Sequence, residues 1–144
     1  MSHALGADAG HLVHAHPSSV DVEAWGPSRA GCLEELVRGM VETLGGARSE
    51  SQTQSLPFRL GATSDAELVL ALLDDLYFLF DSDDFVVADV SLHEDDDGNL
   101  DGMYSLVALD DAGASNSARK RTVRTNAEFA PDGPGWRALV VIDS

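Results

Sequence analysis

Between Ser64 and Asp81 the chain carries apolar residues on nearly every side of a helix. Leu68, Val69, Leu70, Leu72, Leu73, Leu76, Tyr77, Leu79 and Phe80 leave Asp74 and Asp75 as the only charges at mid-length. A helix of this kind has no face to give to water, so it is expected in the centre of the domain with other elements packed around it. Ser64-Asp65-Ala66-Glu67 has the form of a capping box at its start, and Asp81-Ser82-Asp83-Asp84 ends it. A second helix is more conventional. Leu33, Leu36, Val37, Met40, Val41 and Leu44 fall at i, i+3, i+4, i+7, i+8 and i+11, one apolar stripe over three turns, with Gly45-Gly46 as a left-handed stop.

The remaining patterned segments read as β. Val20-Asp21-Val22-Glu23-Ala24-Trp25 alternates with period two, so Val20, Val22 and Ala24 face one way and Ser19, Asp21, Glu23 and Trp25 the other. The stretch from His11 to Gly26 is extended around Pro17, and Gly26-Pro27-Ser28 then starts the striped helix. A short extended piece surrounds Leu56-Pro57-Phe58-Arg59-Leu60. Phe85 to Val90 enters a sheet, and Leu100 to Leu109 pairs back through a turn at Asp97-Gly98-Asn99. Residues 118–130 give a further strand, and the turn 131–135 leads into the last one. Two main helices against a mostly antiparallel sheet make a single α+β domain over residues 11–144, with residues 1–10 too small and polar to order.

At 144 residues and 44% hydrophobic composition, a single domain can bury roughly 70% of its unfolded surface without metal or disulfide support. Cys32 is the only cysteine, beside the apolar stripe, and is expected as a buried thiol in a reducing compartment. No signal peptide or membrane-spanning run is seen, so a cytoplasmic protein is expected. Nine basic residues against 25 acidic ones give a net charge of −16. Such a surface repels nucleic acid and anionic lipid at long range. The local exception is Arg119, Lys120, Arg121 and Arg124, read as a solvated strand face balancing nearby acids.

Trp136 to Ile142 is a β-type apolar run that ends on Asp143 and Ser144. Oxygen groups fixed at the tip of a strand, the Asp143 carboxylate and the α-carboxylate after it, form half of a hard-cation site or a docking point for a basic partner. The plainer alternative is an edge strand with a solvated tip. Asp97, Asn99, Asp101 and Gly102 match the opening of an EF-hand loop, but the closing Glu position is Ala108 and the flanks are β-type, so the segment reads as an acidic hairpin turn. His14 and His16, spaced to share a strand face, and His11 raise a zinc or copper possibility. They lack a certain third ligand, and a flexible, partly exposed cluster is the preferred reading. No nucleophile elbow, phosphate loop or dinucleotide fingerprint is present, and nothing argues for a stand-alone enzyme.

The order of these pieces resembles the archease family. The matching text is His16-Pro17-Ser18-Ser19-Val20-Asp21-Val22-Glu23-Ala24-Trp25-Gly26, then Leu72 to Asp81, then Gly135-Trp136-Arg137-Ala138-Leu139-Val140-Val141-Ile142-Asp143-Ser144, covering residues 11–144. The resemblance implies a small non-enzymatic activator of an RtcB-type RNA ligase, which joins RNA halves in tRNA splicing and repair with GTP and divalent metal. Family members promote guanylylation of the ligase's active-site histidine. Their metal site joins an aspartate of an H-T-A-D motif to the last two residues of the chain, matched here by Asp143 and Ser144. The early motif departs: Ser19 stands where the family has its aspartate, and a neutral hydroxyl is a weaker ligand for a hard cation. Asp21 lies roughly 7 Å further along the same strand face and is the expected substitute. Lys120 falls where the family has a lysine, but Val123 and Thr125 stand at its threonine and histidine positions, and Asp110-Asp111-Ala112-Gly113 lacks its basic loop.

Three readings follow. The resemblance implies an accessory factor that docks its acidic end, around Asp21, Asp143 and Ser144, into a ligase cleft and helps to place calcium or magnesium, without touching RNA or membrane. The departure at Ser19 supports a metal-free interaction module on the same fold. Third is a transition-metal binder using His14 and His16.

Overall fold

The computed structural model describes residues 9–44, 53–61, 64–80, 85–108 and 124–143. In chain order the elements are β1 (Gly10–Ala15), β2 (Ser19–Gly26), α1 (Arg29–Leu44), β3 (Thr53–Leu60), α2 (Asp65–Phe80), β4 (Phe85–Glu94), β5 (Leu100–Ala108), β6 (Arg124–Asp132) and β7 (Gly135–Asp143). The strands form two sheets rather than one, in the orders β1-β2-β7-β6 and β3-β5-β4, and every neighbouring pair is antiparallel. With two helices, this is the expected α+β class. Among the described residues no helix is long and apolar enough to cross a membrane.

Local chemistry sets the boundaries. Ser64 Oγ accepts from Glu67 N at 3.1 Å, the cap legible in the sequence, and Ser28 Oγ accepts from Gly31 N at 3.0 Å, so both helices open on a serine hydroxyl. The β4–β5 turn is organised by Asp95, whose Oδ1 accepts from Asp97 N at 2.9 Å and Asn99 N at 3.0 Å. Gly98 and Gly133 take φ of +86° and +59°, a region open to glycine without a Cβ clash, and so close the two acidic hairpins. The acidic segment is thus a turn, as its β flanks required. The piece around Leu56 is a full strand, and the last hairpin turns two residues later than Pro131 suggested. The stops at 45–46 and 81–84 and the strand residues 118–123 lie outside the described residues.

One expectation is overturned. α1, not α2, is the central helix: it packs on β1, β2 and β7 of one sheet and on β4 of the other, with Cys32, Leu33, Leu36, Val37 and Met40 all at 0% exposure. α2 buries Leu68, Val69, Leu72, Leu73 and Leu76, but Leu70 is 49% and Phe78 78% exposed. The physical reason is that a central helix need not be apolar all round when its polar groups are paired. Glu34 Oε2 accepts from Leu92 N at 2.7 Å, and Arg38 Nε donates to Asp89 Oδ1 at 3.0 Å. The Glu34 bond also satisfies a backbone N–H of β4, whose outer edge pairs with no other described strand.

α1 runs antiparallel to both β2 and β4, since Cys32 lies by Ala24 and Arg29 by Glu94 at one end, and Arg38 reaches Asp89 further along. The molecule therefore has two distinct ends. At one, Arg29 gathers the openings of both helices and two hairpins: it pairs with Asp65 and Glu94, donates to Gly98 O and stacks 5.8 Å from the Trp136 ring. At the other, α1, α2, β5 and β7 finish and β2, β3, β4 and β6 begin.

Candidate functional site

The tail strand is interior. β7 lies between β2 and β6, with Asp143 opposite Ser19 on one side and Arg124 on the other. The edge-strand alternative is therefore excluded by the topology. The pairing continues Val20↔Ile142, Asp21↔Val141 and Val22↔Val140. Positions directly opposite in an antiparallel ladder share a face. Val22, Ala24, Val140 and Ile142 are buried, so Ser19 and Asp21 belong to the outer face, as the alternation required. The register thus brings Ser19, Asp21 and the backbone of Asp143 to one end of one sheet. Ser144 and the basic residues Arg119, Lys120 and Arg121 lie outside the described residues.

His16 Nε2 lies 3.1 Å from Asp21 Oδ2, and His16 N donates to Ser19 O at 2.8 Å across the β1–β2 turn. The carboxylate expected to replace the missing aspartate is therefore already in contact with an imidazole. His14 pairs with Asp21 from β1. His16 stands one residue beyond β1, and both histidines neighbour Asp21, His14 across the ladder and His16 through its ring. His11 is not part of a flexible cluster: on the opposite face, its Nδ1 is 2.8 Å from Glu35 Oε1 and its Nε2 2.5 Å from Glu42 Oε2. Residues three apart on a strand face opposite sides, which is why His11 is separated from His14. Among the described residues, no three His, Cys, Asp or Glu side chains gather so as to hold a metal ion. The donors described at the tail end, the Ser19 hydroxyl and the Asp21 carboxylate, are hard oxygens suited to calcium or magnesium rather than zinc.

Two other sequence candidates have structural work. Arg59 of β3 spans Asp95 at 2.7 Å and Asp101 at 3.0 Å, so two acids of this hairpin are paired from the neighbouring strand. Cys32 is fully buried with its thiol 3.7 Å from Ala24 O, and burial pushes its pKa up to about 12, far from a nucleophile's. Sequence reasoning missed His11 with its two carboxylates, the His16–Asp21 contact and the Arg29 junction. Arg29 and Glu94 are 65 residues apart and Arg29 and Gly98 69, distances over which local pattern carries no signal.

A family model described as the Archease protein family (MTH1598/TM1083) matches residues 13–143. Among curated proteins, "Probable protein archease" of Mycobacterium tuberculosis, from strains CDC 1551 / Oshkosh and ATCC 25618 / H37Rv, is 28% identical over 138 residues, 96% of this chain and 76% of the relative. Among solved structures, the solution structure of Methanobacterium thermoautotrophicum protein 1598 superposes with a TM-score of 0.66 at 17% identity, over 94% of this chain and 99% of the other. The fold is thus shared where sequence has largely diverged. With the family model spanning both the early strand and the tail strand that meet at Ser19 and Asp143, the chain belongs to the archease family.

Proposed function

We propose that this protein is a non-enzymatic accessory factor that activates an RtcB-type RNA ligase in tRNA splicing and RNA repair, acting in the cytoplasm. The observation that supports it most is the Ser19↔Asp143 register, which joins the early-motif position to the tail. On this reading the tail end enters the ligase's cationic, metal-bearing cleft. Asp143, Ser144, Ser19 and Asp21 would hold a divalent metal, calcium or magnesium, which supplies positive charge to the nucleotide phosphates when bound. The residues of this chain act by placing oxygen ligands and by excluding water from the cleft mouth. The net charge of −16 suits a partner surface shaped for RNA, and direct RNA binding is not part of the proposal.

The test mixes the protein with an RtcB-type ligase, GTP and magnesium or manganese and reads covalent ligase guanylate and turnovers per ligase. Both rise on this reading, and Asp143→Ala abolishes the rise. No rise, or an Asp143→Ala protein as active as the parent, removes it.

A second reading is favoured by Ser19 and by the His16–Asp21 contact, which leave fewer uncommitted carboxylates for a cation. It keeps the same docking end as a metal-free interaction module. Calorimetry with calcium and magnesium separates the two: heat lost on Asp143→Asn belongs to the first, and no heat to the second.

A further inference from the structure

Among the described residues, β1 is the outer strand of the sheet that carries Ser19 and Asp21, and only β2 pairs with it. On its inner side the main polar grip is His11. This imidazole meets a carboxylate oxygen at each ring nitrogen, Glu35 at 2.8 Å and Glu42 at 2.5 Å, both from α1. Ionised carboxylates only accept hydrogen bonds, so both contacts are satisfied together only by the doubly protonated ring. A neutral imidazole has one N–H and turns its other nitrogen's lone pair against the second carboxylate. The His11 side chain is 18% exposed and Glu35 15%, so water replaces the lost contact poorly at that pair. Glu42, at 59%, is the accessible partner.

We propose that His11 is a proton-operated latch that fastens the edge strand β1 to α1 and thereby sets the position of the β1–β2 turn beside the candidate site. That turn holds His16, which contacts Asp21 and bonds Ser19 O. The groups around His11 are Glu35 and Glu42 of α1, Arg38 of α1 bound to Glu35 at 2.9 Å, and Asp89 of β4 bound to Arg38. Ala24 of β2, opposite it, carries no charge. Burial alone would lower the His11 pKa, but the hydrogen bonds and charges of Glu42 and Glu35 outweigh it and hold the value above the ordinary 6.5. A histidine raised on folding contributes stabilisation that is complete below its unfolded pKa and is lost as pH rises through the folded one. The latch is therefore closed in mild acid and opens on the alkaline side of the raised value. This inference rests on the packing of β1 and not on the ligase reading, so either can fail alone.

The test is amide hydrogen exchange followed by NMR across the His11 titration, corrected for intrinsic pH dependence, with ring 15N shifts recorded on the same sample. The expected result is a ring protonated at both nitrogens below its titration and a loss of β1 protection through it, while β6 keeps its own. Glu42→Gln should move that loss to lower pH, and His11→Gln should make β1 protection low and flat with pH. β1 protection independent of pH in the parent, a ring that carries a single proton at pH 6, or loss from all strands together would each overturn the latch.

Discussion

The two ends of this molecule are built on different principles. At the Arg29 end, short turns close on capping hydroxyls and positive-φ glycines, and one guanidinium draws Asp65, Glu94, Gly98 O and Trp136 together. At the tail end, Ser19 and Asp21 of β2 lie beside the backbone of Asp143, with His16 in contact with Asp21. The first end stores contacts, whereas the second presents oxygen donors. Stability is expected to reside in one and recognition in the other, so damage at each should read out differently.

The largest effect is expected at Gly135. A Cβ there would stand 2.5 Å from Gly26 O, and a backbone oxygen cannot swing aside. Gly135→Ala should cost about 2–3 kcal/mol by urea denaturation, and a loss under about 0.5 kcal/mol would show that this end tolerates displacement. Next is Arg29→Met, which leaves Asp65, Glu94 and Gly98 O without their cation. A loss of about 1–2 kcal/mol is expected, moderated because Arg29 Nε is itself buried with no hydrogen-bond partner. Neither change should alter ligase guanylylation by protein that remains folded.

At the tail end the signs reverse. On the proposed metal site, Ser19→Asp adds a carboxylate beside Asp21 and should raise affinity for calcium or magnesium by about tenfold in calorimetry, with a slightly lower Tm when no metal is added. Equal affinity in parent and variant would separate Ser19 from any metal site. The smallest effect is expected on α2, where Asp65 faces Arg29 but Asp75 meets the Tyr104 hydroxyl at 3.5 Å. Burial raises the Asp75 pKa from its ordinary value, aided by the charge of Asp74 and against the Tyr104 hydrogen bond. An acid raised on folding binds its proton more tightly in the native state, so it costs stability above the folded value and that cost fades as pH falls toward the unfolded value. Asp75→Asn should therefore raise Tm at pH 7 and lose its advantage near pH 4. A lower Tm at pH 7 would contradict this.

The same division explains what could be read from the sequence. The Ser64 cap, the α1 stripe, the alternation from Val20 to Trp25 and the Gly98 turn are local, and each was legible because its physics acts within a few residues. The pairing of tail with early strand was expected from the family resemblance and is borne out by the Ser19↔Asp143 register. The split into two sheets was not legible, because strand pattern states which face is buried but not which strand is the neighbour. The centrality of α1 was hidden for a related reason. Glu34, Glu35 and Arg38 look like a solvent face until their partners on β4 and β1 are known. At the candidate site, residue types were visible, but the capture of Asp21 by His16 depends on a turn whose geometry no periodicity encodes.

The most direct measurement is the footprint of an RtcB-type ligase on this protein, read as backbone amide shift and intensity changes on titration. The expected result is changes concentrated at residues 14–21 and 139–143, with the hairpins at 95–99 and 133–134 unaffected. A footprint centred on Arg29 and those hairpins, with the Ser19 and Asp143 amides unchanged, would contradict it.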